Sequence, residues 1–112
     1  MKYAIPVSGG MLSPHFGHCE QFALFDVDEA NKKITNKELV SSPGHEPGFL
    51  PGWLAEQGVS VVIAGGMGSR AQTLFAQNRI KVVTNVTASD PDKAVQDYLA
   101  DSLEFGENVC DH

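Results

Sequence analysis

The sequence predicts a three-layer α/β domain built on a five-stranded mixed sheet, and three observations carry that prediction. Three strand-like segments come first, joined by loops too short for helical crossovers. The remaining chain alternates strand and helix. Within it, residues 59–64 (VSVVIA) form a nearly uninterrupted β-branched run, the pattern of a parallel strand buried on both faces. The expected order is β-β-β-α-β-α-β-α.

Lys2 to Val7 reads as a short strand, and SGGMLSPHFGHC after it reads as a long loop punctuated by Gly, Ser and Pro. QFALFDVD, residues 21–28, is apolar on both faces as far as Phe25 and then alternates, which suits a central strand; DEANKK supplies the turn. Lys33 to Val40 mixes Ile34, Leu39 and Val40 with Lys, Asn and Glu, as an edge strand does to discourage stray pairing. SSPGHEPG breaks the pattern. Phe49, Leu50, Trp53 and Leu54 then share one helical face, with Pro51 tolerated in the first turn. After the VSVVIA strand and a GGMG turn, Ala71, Leu74 and Phe75 mark a helix over 69–78. Ile80 to Val86 is again β-branched, and Asp90 and Pro91 stand as N-cap and first residue of a last helix carrying Ala94, Val95, Tyr98 and Leu99.

If the second strand runs antiparallel to the first and third, strands one, three, four and five all end at one edge of the sheet. The loops 8–20, 41–48, 65–69 and 87–90 then share the carboxyl edge, where α/β sheets place ligands. The domain is expected to span 1–103, followed by an aperiodic tail, 104–112. Nine extended residues reach about 30 Å, enough for that tail to return to the same edge.

At 112 residues the chain fits one domain, with no repeat, heptad run or low-complexity tract. A chain of this length buries roughly two-thirds of its unfolded surface and folds without disulfide staples. The start MKYAIPVSGG lacks the features of a secretory signal and no stretch has the length of a membrane span, so a cytoplasmic protein without membrane contact is expected. In that reducing compartment Cys19 and Cys110 are free thiols or metal ligands, a disulfide being the lesser alternative. Fourteen acidic against eight scattered basic residues give a net charge of -6, which repels nucleic acid.

All four histidines and both cysteines fall in irregular segments: His15, His18 and Cys19 in the first loop, His45 in the second, Cys110 and His112 in the tail. Imidazole and thiolate suit zinc, copper and iron, and H-x-x-H-C with C-x-H offers five donors, His45 a sixth. The absence of paired CxxC knuckles favours an open site that takes an external ligand over a closed structural zinc. The plain alternative makes His15, His18 and His45 polar loop residues, lets Cys19 pack where the second strand begins, and leaves the tail frayed. Met11 and Met67 are better read as core filler than as thioether ligands, and Asp26 and Asp28 as exposed residues beside a turn.

Gly66-Met67-Gly68-Ser69-Arg70-Ala71 forms a G-x-G-x-x-A passage from a buried strand into a helix, a shape that presents backbone N–H groups to an anion. A nucleotide is one possible occupant. The following strand, however, ends in Thr84 and Asn85 and lacks the acidic ribose ligand that a dinucleotide site requires. The same N–H groups and Arg70 suit an anionic metal-sulfur cluster.

Taken together, SPHFGHCEQFALFDVD, PGHEPGFLPGWLAEQGVSVVIAGGMGSRA and NVCDH resemble the dinitrogenase iron-molybdenum cofactor biosynthesis family, whose members are NifX-, NafY-, NifB-carboxyl-terminal- and orange-protein-like. The resemblance covers nearly the whole chain. It implies a ribonuclease-H-like fold without nuclease activity and a non-enzymatic role in binding, storing or transferring a metal ion or metal-sulfur cluster of iron, molybdenum, copper or zinc. Partners so implied are a cofactor donor or acceptor protein, with the chain a monomer or homodimer. His15, Phe16 and Gly17 match the family's HFG segment, and Gly65, Gly66, Met67 and Gly68 its glycine turn. His18, Cys19 and the Cys110-Asp111-His112 tail depart from nitrogenase-associated members. Two other functions stay open beside a carrier: a small metal-dependent enzyme using a vacant coordination position, and a nucleotide- or anion-binding module at the GGMG turn.

Overall fold

The chain builds outward from its first strand. In the computed structural model, which describes residues 1–13, 16, 19–43, 49–87 and 89–102, β1 (Lys2–Ser8) is buried from Tyr3 to Val7. Gly9 and Gly10, with φ of 61° and 81°, take the left-handed backbone that a side chain would resist. They fold β2 (Met11–Leu12) back on β1, Leu12 facing Val7. β3 (Gln21–Asp28) pairs antiparallel with β1, and β4 (Lys33–Ser41) antiparallel with β3. Then come α1 (Phe49–Glu56), β5 (Val59–Ile63), α2 (Ser69–Gln77), β6 (Lys81–Val83) and α3 (Pro91–Leu99). β5 runs parallel to β1 and β6 parallel to β5, giving the order β4-β3-β1-β5-β6 with β2 beside β1.

The side-chain alternation of the strands divides the core in two. On one face Tyr3, Ile5, Phe25 and Ile63 pack with Ala94 and Val95 of α3. On the other, Phe22, Leu24 and Val62 pack with Leu50 and Leu54 of α1 and Phe75 of α2. Three layers result, as the sequence predicts, and β1 and β3 are apolar on both faces because helices cover both. β4 is the polar edge, half-buried only at Ile34 and Val40, and its Lys37 ammonium reaches Asp92 of α3 at 2.6 Å.

Three details differ from the sequence-based expectation. The sheet has a sixth strand, the two-residue β2, inside what reads as a single loop. β6 is shorter than the β-branched run because Arg79 (φ 61°) and Asn85 (φ 66°) turn left-handed just outside its ends. In β5 the register with β1 skips Ser60, whose hydroxyl donates to the Lys2 carbonyl at 3.2 Å, so the run is bulged rather than regular. None of these moves a strand end to the other edge. β1, β4, β5 and β6 all run toward the same side.

Candidate functional site

Backbone hydrogen bonds stitch the loops at that carboxyl edge into one wall. The Leu12 N–H donates to the Ser89 carbonyl (2.7 Å), the Phe16 N–H to Gly66 (3.0 Å) and the Asn85 N–H to Gly65 (2.8 Å). The loop after β4 joins through Glu20: its carbonyl accepts from the Ser42 N–H, its own N–H donates to the Val7 carbonyl, both at 3.0 Å, and its carboxylate accepts from the Gly9 N–H at 3.0 Å. The four loops that the sequence assigns to one edge are thus in contact with β1 or with each other.

Phe16 is the pin of this assembly. Its ring is 5 % exposed, set edge-on to Phe75 with centroids 5.3 Å apart and tilted against Phe22 at 5.9 Å. An aromatic ring is the side chain that brings most apolar area to such a point, and burying it holds the first loop against the glycine turn. Cys19 closes the same loop. It is fully buried in the cluster with Phe16 and Phe22, whereas its place in an irregular segment predicts an accessible thiol; the chain has already re-entered the core when β3 begins. Burial pushes the Cys19 thiol up to about 11, offset in part by hydrogen bonding to the backbone and to Ser42.

Gly65, Gly66 and Met67 are buried and Gly68 is half-buried. Met67 fills core space at 1 % exposure, as expected of it, and its carbonyl accepts from the Gln72 side chain at 3.0 Å. Gly68 is the N-cap of α2 in extended conformation and, having no side chain, leaves the first turn of that helix without a side-chain cap from this position. Arg70 stands exposed on this first turn and forms no ion pair among the described residues. The wall to which Phe16 is bound is therefore followed by the first turn of α2 with an exposed guanidinium at Arg70.

His15, Gly17, His18, His45, Cys110 and His112 lie outside the described residues. Among the described residues no three His, Cys, Asp or Glu side chains assemble as a metal-ligand set. Asp28 is engaged in the β3–β4 turn, where both its carboxylate oxygens accept from Asn31 and hold its carboxyl below the ordinary value. No helix of the described residues is long and apolar enough to cross a membrane.

Asn85 stands out in the structure in a way that sequence reasoning did not foresee. Besides its left-handed backbone, it carries the single buried side-chain oxygen among the described residues that has no hydrogen-bond partner. The available signal was an asparagine closing a β-branched run, because Asn tolerates that backbone better than most residues.

Comparison with known proteins agrees with this architecture. The chain is 34% identical over 109 residues to the uncharacterized protein MJ0580 of Methanocaldococcus jannaschii, covering 93% of this chain and 90% of that one. Its fold matches the crystal structure of PH0822 with a TM-score of 0.87 at 28% identity over 96% of each chain. It also matches the apo orange protein of Desulfovibrio gigas, with a TM-score of 0.74 at 24% identity over 96% of this chain and 93% of that one. The family model described as dinitrogenase iron-molybdenum cofactor matches residues 1–101, ending before the cysteine- and histidine-bearing tail. With that match spanning the described fold from its first strand through its last helix, the chain belongs to the dinitrogenase iron-molybdenum cofactor family.

Proposed function

We propose that this protein is a non-enzymatic cytoplasmic carrier that binds, stores or hands on a metal ion or metal-sulfur cluster during metallocofactor assembly. One observation carries the reading: the first loop is locked to the glycine turn by the Phe16 N–H bond to Gly66 and the burial of the Phe16 ring. That contact ties Phe16, a neighbour of His15 and His18 in the sequence, to the turn that leads into α2 and Arg70. Nitrogen and sulfur donors suit iron, copper, zinc and molybdenum-sulfur centres, and N–H groups with a guanidinium suit the anionic surface of a cluster. His15, His18, His45, Cys110 and His112 are the proposed metal ligands, Cys19 being buried in the core, with Phe16, Gly17, Gly65, Gly66, Met67, Gly68 and Arg70 forming the cradle. Phe16 and Met67 act in it by holding the wall in shape.

A carrier rather than an enzyme is supported by the described carboxylates of this edge. Glu20 accepts from the Gly9 N–H and Asp90 from the Asp92 N–H, each at 3.0 Å, so both serve the backbone. The family's description, dinitrogenase iron-molybdenum cofactor, supports a cargo among iron- and molybdenum-containing centres. The tail, 104–112, would bring Cys110 and His112 to the domain formed by 1–103, in a monomer or across a homodimer. The cargo would come from, or pass to, a donor or acceptor protein of the same assembly.

Elemental analysis and an absorption spectrum of protein purified without oxygen and without a metal-binding tag test this. Stoichiometric iron, copper, molybdenum or zinc is expected, reduced at least severalfold in H15A/H18A and in C110S. No metal after purification and none taken up on reconstitution would overturn it.

A further inference from the structure

Glu20 stands between the fully buried Cys19 and the first residue of β3, and its N–H, carbonyl and carboxylate bond to separate segments of the wall. The N–H donates to the Val7 carbonyl at 3.0 Å and to the Ser8 hydroxyl at 3.3 Å, both at the end of β1. The carbonyl accepts from the N–H of Ser42, the first residue after β4, at 3.0 Å. The exposed carboxylate accepts from the Gly9 N–H at 3.0 Å. The backbone bonds are open to any residue but proline; the last needs a side chain with an acceptor at this reach. Gly9 and Gly10 form a two-residue turn between the paired Ser8 and Met11, and such a turn leaves its first central N–H outside the strand ladder.

The hairpin tip, the end of β1 and the loop that leaves β4 thus meet on one residue. In the sequence His18 stands two residues before Glu20, and His45 three residues after Ser42. The buried Cys19 thiol, hydrogen-bonded to Ser42, reinforces the junction from the core side. We propose that Glu20 is a positioning residue, which fixes the start of the loop carrying His45 against the end of the loop carrying His15 and His18 and locks both to the hairpin. The inference rests on the carrier reading above and adds the device that sets two ligand-bearing segments in register before cargo arrives. Ordering that precedes the ligand is recovered as affinity. Glu20 itself makes no contact with the cargo in this arrangement.

The test uses the full chain. Amide hydrogen exchange on metal-free protein reads the junction, and anaerobic titration with cobalt(II), followed by its visible absorption, reads the consequence. E20A removes the acceptor; E20Q keeps an uncharged acceptor of the same reach. E20A is expected to exchange about threefold faster or more at both Gly9 and Ser42, and to bind cobalt about fivefold more weakly or worse. Its melting temperature should fall by no more than about 4 °C, as for one exposed hydrogen bond. E20Q is expected to restore wild-type exchange and to bind within about twofold of wild type. Faster exchange at Gly9 with none at Ser42 would overturn the proposal, because the carboxylate would then hold the hairpin alone. E20Q as weak as E20A would overturn it too, since the charge rather than the hydrogen bond would matter, as for a metal ligand. So would wild-type cobalt affinity in E20A, or a fall in melting temperature far beyond that expected, which marks a general structural role. Each of these, with wild-type protein that binds metal, leaves the carrier reading standing. Wild-type protein that takes up no metal in any form removes both.

Discussion

Replacing Phe16 with alanine removes a ring that is 5 % exposed and in contact distance of two other aromatic rings, Phe22 and Phe75. Phe→Ala changes in a packed core cost about 3–5 kcal/mol, from lost transfer free energy and the cavity left behind. Phe16 is held by a loop, which can settle inward and partly fill the space, so a loss of about 3 kcal/mol is expected. At this chain length roughly 4 °C of melting temperature accompanies each kcal/mol, giving a fall of about 12 °C. Urea unfolding followed by far-ultraviolet circular dichroism measures it, with the slope m unchanged if the variant remains two-state. F16L, which retains most of the apolar volume, should lose about 1 kcal/mol. A loss below about 1 kcal/mol in F16A at unchanged m would refute the argument, because a ring that cheap to remove could not hold the first loop on the glycine turn. Protein stability of 5–15 kcal/mol is typical, so F16A should still fold in the cold, and its metal content can be compared with that of F16L at equal folded fraction.

Two further outcomes follow from the same structure. Cys19, raised from 9.0 to about 11 by burial, stays protonated in the folded chain at pH values where the unfolded chain has lost the proton. Stability contributed by this group is therefore complete below about pH 9 and declines as pH rises toward 11, by about 2 kcal/mol; C19A should abolish that part of the decline, and a slope identical in C19A would contradict the assignment. Asp90 caps α3 by accepting from the Asp92 N–H at 3.0 Å, so D90A should lose about 1 kcal/mol in chemical denaturation, while D90N, which retains the acceptor, should lose less; equal losses would deny the cap.

Much of the architecture is legible in local pattern. The five principal strands and three helices follow from β-branched runs, helical spacing and the Asp90-Pro91 start signal. The edge position of β4 follows from its charges. These features are local: each depends on side chains within a few residues deciding how a segment buries its apolar face. The common carboxyl edge of the loops is also recoverable, because one antiparallel neighbour fixes the directions of the parallel strands around it.

The candidate site was legible only as a place. HFG and GGMG could be assigned to one edge from strand order, but Phe16 reads equally as a cargo contact and as a core residue until its ring is seen between Phe22 and Phe75. Cys19 reads as an accessible ligand until the loop's return into the core is seen. Asn85 carries no chemical motif, and nothing in its local sequence announces a buried oxygen without a hydrogen-bond partner.

By itself, then, the sequence determined the element order, the two-sided burial of β3 and β5, and the residue chemistry available to the loops, since these depend on near neighbours along the chain. Tertiary structure alone decided which loop residues became core, how the first loop docks on Gly66, and where a polar atom is buried without a partner. Those outcomes depend on atoms far apart in sequence meeting in one packed volume, where desolvation and cavity costs, rather than local propensity, set the result.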